Sequence, residues 1–103
     1  MSTSQYPTLL SPARIGALEL KNRMIVTAMG VNFAESDGSA GERLIAYHEE
    51  QARGGVGLVI TGATGVALPV GRVQRWQVGI SEDRFLPGLE KLVNAVHRHG
   101  AKA

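Results

Sequence analysis

Hydrophobic and polar positions divide this chain into segments of different period. Residues 1 to 12 are polar and turn-rich, with Pro7 and Pro12. Ala13-Arg14-Ile15 and Leu18-Glu19-Leu20 alternate on either side of Gly16-Ala17, which predicts a small β-hairpin around a two-residue turn. Lys21-Asn22-Arg23 leads into Met24-Ile25-Val26-Thr27-Ala28-Met29, a continuous apolar run of strand length. Apolar character at nearly every position predicts burial on both faces, as in a parallel sheet.

Residues 30 to 38 form a loop closing on Asp37-Gly38. Ser39-Ala40-Gly41-Glu42 has the Ser-x-x-Glu spacing of a capping box, so a helix is expected to begin there and run through Arg43 to Arg53. Gly54-Gly55 ends it, because glycine tolerates the left-handed conformation that closes a helix. Val56-Gly57-Leu58-Val59-Ile60-Thr61-Gly62-Ala63-Thr64 reads as a second buried strand. Residues 65 to 80, with Pro69, Gly71, Arg72, Arg75 and Trp76, make a long irregular connection of a kind that is often functional. Ser81-Glu82-Asp83 starts a second helix, with Phe85, Leu89, Leu92, Val93 and Val96 on one face and Pro87 in its first turn. Gly100 ends that helix.

The order hairpin, strand, helix, strand, helix predicts an α/β fold with βαβ units and a parallel sheet. Composition narrows the class. At 103 residues and 44% hydrophobic, the chain is at most one globular domain. No apolar run reaches the roughly 18 residues needed to cross a bilayer. Met1-Ser2-Thr3-Ser4-Gln5 lacks the basic start and apolar stretch of a secretory signal, so a cytoplasmic location is expected. Without cysteine, the segment holds no disulfide, thiolate metal site or cysteine nucleophile. The formal charge of +2 is spread from Arg14 to Lys102, with none of the clustering that marks nucleic-acid binding.

Leu10-Ser11-Pro12-Ala13-Arg14-Ile15-Gly16, followed by Leu20-Lys21-Asn22-Arg23 and Met24 to Met29, resembles the opening of the old yellow enzyme family. Met29-Gly30-Val31-Asn32-Phe33-Ala34-Glu35-Ser36-Asp37-Gly38, with Arg43-Leu44-Ile45-Ala46-Tyr47-His48, is similar to the longer members, of the 2,4-dienoyl-CoA reductase and enoate reductase type. Arg53-Gly54-Gly55-Val56-Gly57-Leu58-Val59-Ile60-Thr61 and Gly62-Ala63-Thr64 continue the match, which covers nearly the whole chain from Leu10 in order and spacing.

The resemblance implies part of an FMN-binding (β/α)8 TIM barrel over residues 1–103: the bottom hairpin, two strand–helix units and the lip of a third strand. A complete barrel of this kind takes about 250 residues. It implies NAD(P)H as reductant and a small-molecule substrate, an activated alkene or enoyl thioester, with no nucleic acid or membrane partner. It also implies that Thr27, Ala28 and Met29 line the flavin, and that Ala63 presents its backbone to the ring's pyrimidine edge. Substrate-anchoring residues, the catalytic acid and any cysteine ligands for an iron–sulfur cluster would lie beyond residue 103. Two departures stand out: Gly30 and Val31 follow Met29 where many relatives place Thr or Cys, and Gly62 stands where relatives often carry Glu.

Barrel chemistry sits at the C-terminal ends of the strands, here Thr27-Ala28-Met29 and Gly62-Ala63-Thr64. Their small side chains let a flat ligand approach the backbone, or simply allow helices to pack on the sheet. Arg72, Arg75 and Trp76 form either a substrate or subunit surface over the barrel mouth, or a loop pinned by one buried Trp. His48 is expected to be a partly buried or surface side chain rather than a ligand. His97 and His99 diverge on a helix end and share no metal. Glu49-Glu50 is a solvated helix face, and Gly54-Gly55-Val56-Gly57 precedes a strand, the wrong context for a phosphate loop.

Three functions are compatible with these residues. The first is hydride transfer from NAD(P)H through FMN to an activated alkene. The second is a fragment that is non-catalytic by itself. The third keeps the barrel and changes the chemistry to flavin-dependent amine demethylation or dehydrogenation.

Overall fold

The computed structural model describes residues 5–103; Met1 to Ser4, part of the polar opening read against a secretory signal, lie outside them. Beyond the opening turns, β1 (Ala13–Ile15) and β2 (Leu18–Leu20) pair antiparallel, with Ala13 opposite Leu20 and Ile15 opposite Leu18. The hairpin turn closes because Gly16 takes φ +58°, a left-handed conformation that an L side chain resists.

The hairpin docks through the residues that follow it. Asn22 is buried; its side-chain amide donates to the Gly55 carbonyl at 2.6 Å, and its Oδ1 accepts from the Met24 amide at 3.0 Å. Gly57 packs so closely here that a Cβ would lie 2.7 Å from both oxygens of Asn22. Lys21 Nζ donates to the His99 carbonyl at 2.8 Å. The hairpin is thereby tied to the C-terminal ends of both helices, the end of the fold away from the strand mouths.

β3 (Ile25–Val26) and β4 (Leu58–Val59) pair parallel, Ile25 with Leu58 and Val26 with Val59. Lys102 bridges parallel to Leu58: the Val59 amide donates to the Lys102 carbonyl at 2.8 Å, and the Lys102 amide to Gly57 at 2.9 Å. The lip of a third strand is therefore present. Both central strands are shorter than the apolar runs 24–29 and 56–64 predict, because regular pairing lasts only two residues before the chains bend into their loops. Burial on both faces holds for β4 but not for the first run: Ile25 and Met29 are exposed, as is Ile60 after β4. Their open side is the one that neighbouring strands of a barrel cover.

Helix α1 (Glu42–Arg53) begins where expected but without the capping box. Its N-cap is Gly41, and no side chain caps it. Ser39 turns the other way, its amide and hydroxyl both donating to the Asp37 carboxylate at 2.9 and 2.8 Å. A local Asx turn has outcompeted the cap. The C-terminal end follows expectation, with Gly55 at φ +109°. A 3₁₀ turn, Asp83–Phe85, then precedes helix α2 (Leu86–His97), whose Pro87 sits in the first turn. Phe85, Leu92 and Val96 are fully buried on the predicted face, joined by Ala95. α1 and α2 pack together over β4, their core formed by Leu44, Ala52, Val59, Leu92 and Val96. Arg98 and His99 both reach Glu49 at 3.0 Å and hold the helix ends together.

The connection 65–80 is irregular, yet it is fastened at both ends. Gly65 and Gly79 bridge, and the Gly79 amide donates to the Gly38 carbonyl at 2.8 Å. The Leu68 side chain fills the space left by glycines at 38, 65 and 79, where a Cβ at Gly38 or Gly65 would come within 2.7 Å of it.

Candidate functional site

Because β3 and β4 run parallel, the loops that follow them leave the sheet at the same end. The Ile60 amide donates to the Val26 carbonyl at 2.9 Å, carrying the pairing just past the strands. One step further, Gly62 meets the Met29 carbonyl so closely that a Cβ there would lie 2.5 Å from the oxygen. Thr27, Ala28 and Met29 are thus brought beside Ala63, all four exposed. Thr64 Oγ1 donates back to the Gly62 carbonyl at 3.0 Å and fixes the bend. The result is a ledge of small side chains and peptide groups, with the long, exposed Met29 side chain at one end.

Loop 30–34 lies along loop 74–78. Asn32 takes φ +60°, and its Oδ1 accepts from the Trp76 amide at 2.6 Å. The Ala34 amide donates to the Trp76 carbonyl at 2.9 Å. Buried Gln77 holds the turn beneath, its Oε1 accepting from the Val73 and Gln74 amides at 3.0 and 3.4 Å. Gln74 reaches across to Gly30, and a Cβ at Gly30 would lie 2.7 Å from its Oε1. The space beside Gly30 is therefore taken by the Gln74 side-chain amide from the neighbouring loop. Trp76 is half-buried rather than the buried pin weighed above.

His48 corrects the expectation of a partly buried or surface histidine: it is only 2% exposed. The repeat of apolar residues along α1 turns it inward beside Leu44 and Ala52. Its Nδ1 lies 3.0 Å from Gln51 Oε1, while Nε2 is buried with no hydrogen-bond partner. The ring borders a cavity of about 20 Å³ behind the ledge, shared with Thr61, Gly62 and Ala63. That is room for about one water.

Glu49, Glu50 and Asp37 lie outside the cavity that Gly62 and Ala63 line. Glu49 accepts from His99 and Arg98, and the His99 hydrogen bond foremost holds its carboxyl below the usual range. Glu50 pairs with Arg53. Asp37 is likewise lowered, first by the Ser39 amide, then by the Ser39 hydroxyl and the nearby Arg84. Asn22, Asn32 and Gln77 escaped the sequence reading. Asn32 carried a signal, since asparagine is among the few residues that visit the left-handed region; Gln77 carried none.

Comparison with known proteins agrees with this geometry. The NADH:flavin oxidoreductase / NADH oxidase family matches residues 8–103. An NADH oxidase of Thermoanaerobacter brockii is 40% identical over 99 residues, 96% of this chain and 15% of that protein. A 2-naphthoyl-CoA reductase in complex with 2-naphthoyl-CoA superposes with a TM-score of 0.90 at 36% identity, covering 94% of this chain and 15% of that one. The Old Yellow Enzyme from Pichia sp. AKU4542 superposes with a TM-score of 0.81 at 32% identity, over 91% of this chain and 24% of that one. The chain thus spans between about a seventh and a quarter of these relatives. With a parallel strand pair, a glycine-tight mouth and a family match over almost its entire length, this chain belongs to the NADH:flavin oxidoreductase / NADH oxidase family, the family of the old yellow enzymes.

Proposed function

We propose that the protein to which this chain belongs uses FMN and NAD(P)H to reduce an activated alkene, and that residues 1–103 are part of its FMN-binding barrel domain. In this reading Thr27, Ala28, Met29 and Ala63 line the flavin. The observation that carries it is the contact of Gly62 with the Met29 carbonyl, which brings the exposed Thr27, Ala28 and Met29 into one ledge with Ala63. A planar ring system fits such a surface: it needs peptide donors and acceptors at its edge and no bulky wall. When bound, FMN supplies the two-electron redox chemistry, and the protein supplies binding, orientation and electrostatics.

The ledge itself carries no acid or base. Positions 27–30 and 60–64 hold no carboxyl, imidazole or phenol. These residues therefore bind and orient, and the proton comes from elsewhere in the protein. By itself, the 103-residue chain is expected to retain no flavin, because one side of its sheet stays open.

The test is flavin retention by the purified protein. Wild type should carry FMN that NAD(P)H bleaches under anaerobic conditions. Ala63→Phe should lower retained flavin at least about tenfold, equivalent to about 1.4 kcal/mol, with an unchanged far-ultraviolet circular dichroism spectrum. Full flavin occupancy in Ala63→Phe would remove Ala63 from the wall. Stoichiometric, reducible FMN on the 103-residue chain would refute the statement that it cannot bind flavin by itself.

A further inference from the structure

We infer that the cleft between Arg43, Phe33 and Trp76 is an anion-recognition lip, which grips a carboxylate or phosphate borne on a molecule entering the barrel mouth. The inference rests on the flavoenzyme reading above and adds to it a charge preference and the residues that set it.

The arginines of this chain divide by position. Among the described residues, Arg14, Arg53, Arg84 and Arg98 each pair with a carboxylate, and Arg23 bonds to Ser11 and Pro12. Arg43, Arg72 and Arg75 have no such partner, and all three stand at the strand-mouth end, at the start of α1 or in loop 65–80. Two of them are nonetheless placed. The Arg43 guanidinium carbon lies 4.1 Å from the centre of the Phe33 ring, and that of Arg75 lies 5.0 Å from the Trp76 ring.

The platforms under them are fixed. Phe33 meets Tyr47 edge-on at 5.5 Å, and Trp76 is held by its backbone bonds to Asn32 and Ala34. An arginine stacked on an aromatic face keeps its N–H edge free, in the planar fork that matches a carboxylate or phosphate. Stacking also restricts the side chain before the anion arrives, so less freedom is lost on binding. Between the platforms lies a cleft of about 320 Å³, lined by residues 32–36, Arg43 and Trp76.

One acid shares the cleft. Glu35 folds against Gly41 and makes no ion pair with Arg43. Asp37, the next acid along, is already engaged by Ser39 and Arg84. The cleft therefore presents an oriented guanidinium that no carboxylate engages, beside the ledge where chemistry is proposed.

The test uses the FMN-loaded protein and two matched pairs of neutral and anionic reactants. One pair is a cyclohexenone carrying a carboxypentyl chain, and the methyl ester of the same compound. The other is NADH, and the uncharged 1-benzyl-1,4-dihydronicotinamide. Arg43→Ala should raise KM for at least one anionic member about fivefold to tenfold, as for a partly exposed charge-assisted hydrogen bond. Its neutral counterpart should shift less than twofold. The pair that responds tells whether the anion belongs to the acceptor or to the reductant. In wild type the anionic KM should rise with ionic strength, and that dependence should flatten in Arg43→Ala. Phe33→Leu, which keeps the charge and removes its platform, should give a smaller loss of the same kind. Arg53→Ala removes an equal charge from the far end of α1 and should change neither KM.

Flavin content per protein checks each variant for folding, and Arg43→Gln, which keeps the stem and removes the charge, provides a second route if Arg43→Ala is unstable. Equal shifts for neutral and anionic members, or no shift in any variant, would overturn the lip while leaving flavin reduction intact. Failure of the wild-type flavin to bleach with either reductant would sink the flavoenzyme reading itself, and the lip with it.

Discussion

Gly62→Ala is the most direct probe of how closely the two strand ends must approach. The added Cβ would lie 2.5 Å from the Met29 carbonyl oxygen, 3.1 Å from the Met29 carbonyl carbon and 3.2 Å from the Gly30 Cα. Ordinary contact starts near 3.4 Å, so the backbones must part by about 0.9 Å. All three obstacles are main chain, and the Ile60–Val26 hydrogen bond at 2.9 Å resists the movement. Overpacking of this kind costs about 1–3 kcal/mol. At about 2 kcal/mol, the melting temperature falls by about 4–8 °C in a domain of about 150–250 residues. Because Met29 and Ala63 move apart, flavin should also dissociate faster. The assay is thermal unfolding of the flavoprotein by circular dichroism, alongside release of flavin fluorescence. Gly54→Ala is the matched comparison: its φ is −67° and its nearest backbone atom is at 3.4 Å. It should be neutral, or stabilising by up to about 1 kcal/mol. If Gly62→Ala melts with Gly54→Ala and keeps its flavin, the close approach of the strand ends is not what shapes the ledge.

Three further outcomes are expected. Asn22→Ala leaves the Gly55 carbonyl and the Met24 amide without their partner in a buried spot, which costs about 2–4 kcal/mol in urea unfolding; Asn22→Asp should lose at least as much, because it keeps the acceptor for Met24 but sets a buried carboxylate oxygen against the Gly55 carbonyl. His48→Phe keeps the bulk and removes the unpartnered nitrogen together with the Nδ1 contact to Gln51, so it should stay within about 1 kcal/mol of wild type, while His48→Ala should lose about 2–4 kcal/mol to the cavity; equal losses in the two would mean that the polar contacts of the ring, and not its bulk, hold this site. Asp37 has a lowered carboxyl pKa in the folded protein, so its contribution is present above its ordinary value of 3.8 and is lost as pH falls through the lowered folded value. Melting-temperature series of wild type and Asp37→Asn should therefore differ near neutrality and converge in strong acid; a gap that persists there would assign the effect to Asn geometry instead.

Most of the element order was legible because each helix and turn carries its own local signal. Gly16, Gly55 and Gly100 sit at positive φ where the pattern places turns and helix ends. Pro87 and the apolar face of α2 fall where spacing puts them. The errors share one cause: a local rule lost to a competing contact, either a neighbour's side chain or a partner distant in sequence. Ser39 has the spacing of a capping box, but Asp37 is two residues away and takes its hydroxyl. His48 looks like any helix histidine until the α1 register is set by packing against β4 and α2. Strand lengths were overestimated because an apolar run reports burial in a sheet, whereas pairing depends on neighbours brought from elsewhere. At the mouth, Gly62 and Ala63 were legible only as small residues. What makes them a ledge is the Met29 carbonyl, more than thirty residues away in sequence.

The two ends of the fold have been given different physical tasks. At the hairpin end, Lys21 and Asn22 satisfy carbonyls at or beyond the helix C-termini, where backbone acceptors would otherwise go unpaired. Substitutions there report on stability. At the mouth end, close approach is achieved with glycines at 30, 62, 65 and 79 and secured by side chains from the opposite loop, Asn32 for Trp76 and Gln74 for Gly30. A glycine contributes no side-chain packing of its own, so this end depends on bonds between loops far apart in sequence, such as Gly79 to Gly38 and Ala34 to Trp76. In the proposed reading, that arrangement leaves peptide edges open to the flavin and the stacked arginines open to an anion. It also means that a change in one mouth loop is felt in the other: loosening Trp76 releases Ala34 and Asn32, and with them the backbone that leads to Met29.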